Sequence, residues 1–113
     1  MDANIFDKFP AGGLIKTGDE PATDLPSDRK ALLNRTGNQL FNSGKFEEAR
    51  RIFQTTGYSD GLVRVGDRYL ADGRSVDALK MYQLAHERGK SDELIRRMAL
   101  TIQKILQEEE ETA

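Results

Sequence analysis

Cysteine is absent from the 113 residues of this chain, and its absence excludes several functions at once. Without a thiol there is no disulfide framework, no thiolate zinc site and no cysteine nucleophile. Histidine occurs once, as His86, and neither a serine nor a set of metal ligands lies at a useful spacing from it. We therefore expect a surface histidine near a helix end, no bound metal and no cofactor.

Long apolar runs are also missing. No stretch reaches the roughly 18 apolar residues of a membrane span. The opening segment, MDANIFDKFPAGG, lacks the basic region and apolar run of a signal peptide, so we expect a cytoplasmic protein. The pair Gly12-Gly13 neither follows a strand pattern nor opens a helix, which argues against a phosphate-binding loop. The paired acids Glu47-Glu48 imply no pocket, and we expect no enzymatic activity.

Charge of one sign is not in large excess, but it is segregated along the chain. The formal net charge of −2 divides into −3 over residues 1–27, +5 over residues 28–106 and −4 over residues 107–113. The central excess is smaller than that of a dedicated nucleic-acid binder, and acidic segments flank it on both sides. Nucleic acid is therefore not a favoured partner.

All three prolines fall between positions 1 and 26, where no helical or alternating period survives. We predict a disordered, flexible arm over residues 1–26, a helical domain over 27–107 and an acidic tail over 108–113. Five apolar residues could let the arm dock into a groove of its own chain or of a partner: Ile5, Phe6, Phe9, Leu14 and Ile15. The alternative is a mobile tail with incidental apolar residues.

The segment from position 37 to 49 returns in altered form from position 66 to 78. Each copy combines helical apolar spacing with a glycine turn. The pattern predicts an all-α fold of two antiparallel helical hairpins and a C-terminal capping helix, because a single hairpin leaves an apolar face uncovered. We expect close helix approach at Gly37 and Gly66. The predicted small facing residues and interlayer rings are Ala49, Ala78, Phe53 and Tyr82.

Capping residues place the helix ends. Ser27 and Ser91 are predicted N-caps of the first and fifth helices, and Ser59 or Asp60 caps the third. Glycine is predicted to end the second and fourth helices, at Gly57 and Gly89. The four glutamates at 108–111 oppose the helix dipole, so we expect the fifth helix to fray there.

These residues resemble the tetratricopeptide repeat. The second copy matches its pattern at Val65, Gly66, Tyr69, Gly73, Ala78, Tyr82 and Ala85. The first copy matches it at Gly37, Leu40, Gly44, Phe46, Ala49 and Phe53. The fifth helix aligns as half a repeat with Ala99 in the place of Gly66. The resemblance covers roughly residues 29–106 and implies a right-handed array of helical hairpins.

The resemblance also implies a non-catalytic adaptor or scaffold that binds a peptide or partner segment on a concave face lined by the first helix of each hairpin. The partner-binding residues are found by counting from the equivalent small residues of the three units, Gly37, Gly66 and Ala99. They are Asn34, Arg35, Asn38, Arg64, Asp67, Arg96 and Arg97. Three of them, Arg35, Arg64 and Arg97, would form a basic ladder suited to an acidic or C-terminal segment, since the guanidinium binds two carboxylate oxygens at once. Alternatively, these arginines are solvated residues in ordinary surface ion pairs.

Two other functions remain open. The fifth helix has a wide apolar stripe with Leu100 off it, so the protein could be a self-assembling subunit that forms a homodimer through this helix. Weak nucleic-acid binding by the +5 segment is the second alternative, and it would depend steeply on salt.

Overall fold

The computed structural model describes residues 24–112, so the apolar residues of the predicted docking arm, between positions 5 and 15, lie outside the described residues. Residues 24–112 contain five helices and no strand, which makes this part of the chain all-α. The helices are α1 (Ser27–Asn42), α2 (Phe46–Thr56), α3 (Ser59–Ala71), α4 (Ser75–Leu84) and α5 (Arg88–Thr112).

The repeat of the sequence reappears in the helix boundaries. The number of residues between the starts of α2 and α4 equals the number between Gly37 and Gly66. The starts of α3 and α5 are separated by the same number. The turns within the two units repeat as well, because Gly44 and Gly73 have φ angles of 86° and 81°. Glycine adopts this left-handed conformation without the steric penalty of a Cβ. Ser27 is the first residue of α1 rather than its N-cap, a position that the preceding proline occupies.

The boundary between α4 and α5 differs from the prediction. α4 ends at Leu84, and His86 adopts the left-handed conformation, with a φ of 57°. This is the position that Gly57 holds one repeat earlier, after α2, with a φ of 72°. Gly89 and Ser91 therefore neither end α4 nor cap α5, because both lie in the first turn of α5.

The core forms where successive helices pack on one another: α1 on α2, α2 on α3, α3 on α4 and α4 on α5. An added Cβ at Gly37 would lie 2.6 Å from Cε1 of Phe53, and one at Gly66 would lie 2.7 Å from Cε1 of Tyr82. Both rings are buried, and so are the two small residues predicted beside them, Ala49 and Ala78. The predicted close approaches are confirmed.

A third glycine completes this packing, and the sequence did not single it out. A Cβ at Gly61 of α3 would lie 2.6 Å from Cγ of Phe53. The Phe53 ring therefore contacts α1 at its tip, through Gly37, and α3 along its base. One fully buried side chain thus joins the first helix pair to the next.

Only the first half of α5 belongs to the core. Ser91 and Leu94 are buried and Met98 is half-buried, whereas every residue from 99 to 112 is exposed. The helix continues through the four glutamates at 108–111 and ends at Thr112, so the predicted fraying is not observed there. None of the five helices combines the length and the apolar character that crossing a bilayer requires, as far as residues 24–112 show.

Candidate interaction surface

Arg64 of α3 is held against α1 by uncharged groups. Its Nη1 donates a hydrogen bond to Oδ1 of Asn38 at 2.8 Å, and its Nη2 lies 3.4 Å from Oδ1 of Asn42. The guanidinium carbon sits 4.7 Å from the ring centroid of Phe41. None of these three partners is a carboxylate. The positive charge of Arg64 is therefore fixed in position without being neutralised by them.

An aromatic pair at the turn between α1 and α2 supports this arrangement. The rings of Phe41 and Phe46 meet edge to face with centroids 5.0 Å apart. Arg68, one turn after Arg64 on α3, covers Phe46 at 4.7 Å. Each such cation–π contact stabilises by about 0.5–1 kcal/mol at an exposed site. The two arginines thus tie α3 to the preceding helix pair.

The neighbouring face of α1 offers a second cation. Arg35, Asn38 and Asn42 share one side of the helix, because their spacings of three and four residues bring them into line. Arg35 is exposed, and within residues 24–112 its side chain makes no hydrogen bond or ion pair. Asn34 is half-buried, and its Oδ1 accepts a hydrogen bond from Thr56 at 2.5 Å. Asn34 therefore joins α1 to the end of α2.

Asp67 connects three helices. Its Oδ1 accepts hydrogen bonds from the Tyr82 hydroxyl of α4 at 2.6 Å and from Lys90 of α5 at 3.1 Å. Burial of the phenol, followed by its bond to Asp67, raises the pKa of Tyr82 well above its ordinary value. Lys90 of α5 therefore reaches α3, as Arg64 of α3 reaches α1. The first helices of successive units therefore form a row, α1–α3–α5.

The register of α5 follows from which of its residues are buried. Leu62 and Val65 of α3 are buried, and so are the residues one repeat later, Ser91 and Leu94. The repeat therefore continues into α5 with its spacing unchanged. The predicted alignment of α5 by Ala99 is wrong, because the counterpart of Gly66 is Ile95, one helical turn earlier.

This register breaks the predicted ladder of three arginines. The residue one repeat after Arg64 is Glu93, not Arg97. Arg96 Nη2 donates to both carboxylate oxygens of Glu93, at 2.8 and 2.6 Å, which holds the pKa of Glu93 below its usual value. Arg96 is thus in an ordinary surface ion pair, and Arg97 is exposed. Two in-register arginines, Arg35 and Arg64, remain.

A separate polar cluster links α2 to α3 and to the residue before α4, and no pattern in the sequence predicted it. Glu47 of α2 accepts a hydrogen bond from the Tyr69 hydroxyl, which is the main reason why the pKa of Glu47 is lowered. Burial, and then the bond to Glu47, raise the pKa of Tyr69 to about 12. Arg74 lies 4.2 Å from the centroid of the Tyr69 ring and 3.5 Å from Glu47. The charges of Glu47 and Arg74 offset each other, which indicates a structural role.

Within residues 24–112, no three histidine, aspartate or glutamate side chains lie close enough together to hold a metal ion. No protein-family model matches the sequence, and no solved structure matches it. An uncharacterized protein of Treponema pallidum (strain Nichols) is 39% identical over 88 residues, which are 78% of this chain and 85% of that protein.

Proposed function

We propose a non-catalytic adaptor role in the cytoplasm for this chain, which belongs to one family with the uncharacterized Treponema pallidum protein. In this role the chain would bind an acidic or C-terminal segment of another protein on the α1–α3–α5 row. Arg35 and Arg64 would bind the carboxylates, and Asn38 would contact the peptide backbone. The other predicted partner-binding residues, Asn34, Asp67, Arg96 and Arg97, would lie along or beside the same row.

The observation that carries this proposal is the environment of Arg64. Its partners are two amide oxygens and a ring, so its charge is not neutralised by them and its geometry is already fixed. A carboxylate could therefore bind there without first displacing an intramolecular ion pair. A pre-positioned side chain also loses less conformational entropy on binding than a mobile one.

The repeat supports the same surface. The regular spacing of the units, the glycine contacts with Phe53 and Tyr82, and the adjacency of α1, α3 and α5 are all features that the resemblance to tetratricopeptide repeats implies. In such arrays the first helices line the peptide-binding face. On α5 the residue in register with Arg64 is Glu93, and it is paired with Arg96, so the proposed carboxylate site is at the α1–α3 end.

The proposal is tested by selection from a library of short acidic peptides with free C-terminal carboxylates. The best peptide is then titrated against the wild-type chain and an Arg35→Glu/Arg64→Glu variant. We expect the variant to lose at least about tenfold in affinity, or about 1.4 kcal/mol. The same peptide with a C-terminal amide shows whether the terminal carboxylate takes part.

The matched control is Arg51→Glu/Arg88→Glu, which makes the same change in net charge on exposed residues of α2 and at the start of α5. It should retain affinity within about threefold. Circular dichroism establishes that each variant is folded, and Arg35→Glu alone removes no hydrogen bond or ion pair within residues 24–112. Absence of any binding peptide, or an equal loss in both double variants, would overturn the proposal.

A second candidate function is self-association through α5, and one observation favours it. Five large apolar side chains of α5 are between 45% and 57% exposed: Ile95, Leu100, Ile102, Ile105 and Leu106. Apolar side chains concentrated on one exposed helix commonly mark an interaction surface. In this role the chain would be a structural subunit that dimerises through its C-terminal helix.

A further inference from the structure

We propose that α5, from Ile95 onward, pairs with α5 of a second copy of this chain, and that the two helices run antiparallel. The inference rests on the second candidate function, self-association, and is independent of peptide binding on the α1–α3–α5 row. It adds the residues of the interface and the relative direction of the two helices.

The apolar residues of α5 form a seam. An α-helix turns about 100° per residue, so Ile95, Met98, Ile102 and Ile105 fall within a narrow sector of its surface. Their spacings of three, four and three residues are those of the positions that meet in a two-helix coiled coil. We call these four residues the seam. Leu100 lies on nearly the opposite side of the helix, although it is 53% exposed, as Ile102 is at 57%.

The repeat explains why three of the four seam residues are exposed, while Met98 is half-buried against the core. In the second unit α4 packs against α3 at Gly66, where the Tyr82 ring lies. The counterpart of Gly66 in the third unit is Ile95, and within residues 24–112 no helix follows α5. The seam therefore starts on the side of α5 where the second helix of a third unit would pack. A helix from another chain can take that place.

The distribution of charge along α5 favours a second copy of this chain as the source of the pairing helix. Residues 88–104 carry five basic and two acidic side chains, a net charge of +3, whereas residues 107–112 carry four glutamates, a net charge of −4. The helix is thus complementary to its own reverse. Residues 95–112 are also long enough to provide about five turns for pairing.

The same charges fix the direction. In a parallel pair the two glutamate runs would lie side by side and repel each other. In an antiparallel pair each run lies beside the basic half of the other helix, near residues such as Arg96 and Arg97. Opposite charges beside an apolar seam set the orientation of coiled coils in this way.

Sedimentation equilibrium of the full chain tests association. We expect a dimer of twice the 12.7 kDa of the chain, in reversible equilibrium with the monomer. Ile102→Glu should shift the dissociation constant at least about tenfold towards the monomer, since it places a charge in the seam. Leu100→Glu makes the identical chemical change on the opposite side of the same helix and should leave the dissociation constant within about threefold.

Direction is measured by a spin label on Glu111→Cys, which is specific because the chain has no other cysteine. Labels near the two helix ends should lie roughly 30 Å apart in an antiparallel pair and below about 20 Å in a parallel one, given a rise of about 1.5 Å per residue.

A dimer that is weakened by Ile102→Glu and shows the long distance supports the inference. A dimer with the same sensitivity but the short distance overturns the antiparallel pairing and leaves self-association through α5 standing. A chain that stays monomeric at every concentration, or a dimer that Ile102→Glu does not weaken, overturns both. Peptide binding on the α1–α3–α5 row is unaffected by any of these results.

Discussion

Gly61 lies directly against the ring of Phe53, with room for no side chain between them: a Cβ at position 61 would lie 2.6 Å from Cγ. We predict that Gly61→Ala lowers the free energy of unfolding by about 1–3 kcal/mol, because Phe53 is fully buried and cannot move aside. The higher helix propensity of alanine offsets this only in part. Urea denaturation measures the difference.

Gly89→Ala is the matched control, since Gly89 is also inside a helix. The nearest atom to its added Cβ is an oxygen of the flexible Glu87 side chain at 3.4 Å, so alanine fits. We expect this variant to be as stable as the wild type or up to about 1 kcal/mol more stable. Equal losses in the two variants would contradict the packing described for Gly61.

Tyr69 makes stability depend on pH in the alkaline range. Its pKa in the folded chain is raised to about 12, from an ordinary value of 10.0. Between these values the unfolded chain has released the phenolic proton and the folded chain retains it, so the free energy of unfolding falls as pH rises. The stabilisation is complete below the ordinary pKa and is lost as the pH approaches the raised one. The loss is at most about 3 kcal/mol.

Tyr69→Phe isolates this contribution, because phenylalanine cannot ionise. Urea denaturation at a series of alkaline pH values should give a shallower decline for the variant than for the wild type, even though the variant starts from a lower stability without the bond to Glu47. Parallel curves for the two proteins would show that Tyr69 does not titrate as described.

The contact between Arg64 and Asn38 should be measurable as a coupling energy. In a double-mutant cycle of Arg64→Met and Asn38→Ala, we predict about 0.5–1.5 kcal/mol of coupling, since a charged donor meets a half-buried amide at 2.8 Å. A control cycle of Glu93→Ala and Arg96→Ala probes an exposed pair and should give a smaller coupling, because water screens it. A larger coupling in the control would mean that Arg64 is not held as the contacts indicate.

His86 holds a backbone conformation that suits glycine better. Its φ of 57° is costly for a residue with a Cβ. We predict that His86→Gly raises the free energy of unfolding by up to about 1 kcal/mol, and the Tm by a few degrees. The reverse change at the equivalent position, Gly57→Ala, should lower stability by a similar amount, because the φ of Gly57 is 72°. A destabilised His86→Gly variant would contradict this account of the α4–α5 boundary.

The sequence predicted the helices and the contacts that repeat. Close approach at Gly66 and an interlayer ring at Tyr82 were predicted because the same combination of a small residue and a large ring occurs one repeat earlier, at Gly37 and Phe53. The turns that precede α2 and α4 followed from the glycines of the repeat, Gly44 and Gly73. Periodicity and turn residues act locally, so they can be read from one chain without its tertiary contacts.

What escaped prediction depends on contacts that local patterns do not encode. A glycine was expected to end α4 at position 89, but α4 ends at Leu84 and His86 adopts the left-handed conformation that follows it. The apolar stripe of α5 showed only that one side of the helix is apolar. It did not show that Ile102 is left exposed within residues 24–112. Arg64 was predicted as one step of a ladder, whereas it contacts α1 through Asn38 and Phe41.

The central claim is that a carboxylate-bearing peptide binds on the α1–α3–α5 row at Arg64. Nuclear magnetic resonance of the ¹⁵N-labelled chain, titrated with the selected peptide, measures this directly. We predict the largest shifts at the side chains of Arg64 and Asn38 and at the backbone amides around Arg35, and small shifts around Glu47 and Arg74. The largest shifts at Glu47 and Arg74, with Arg64 unmoved, would contradict the account.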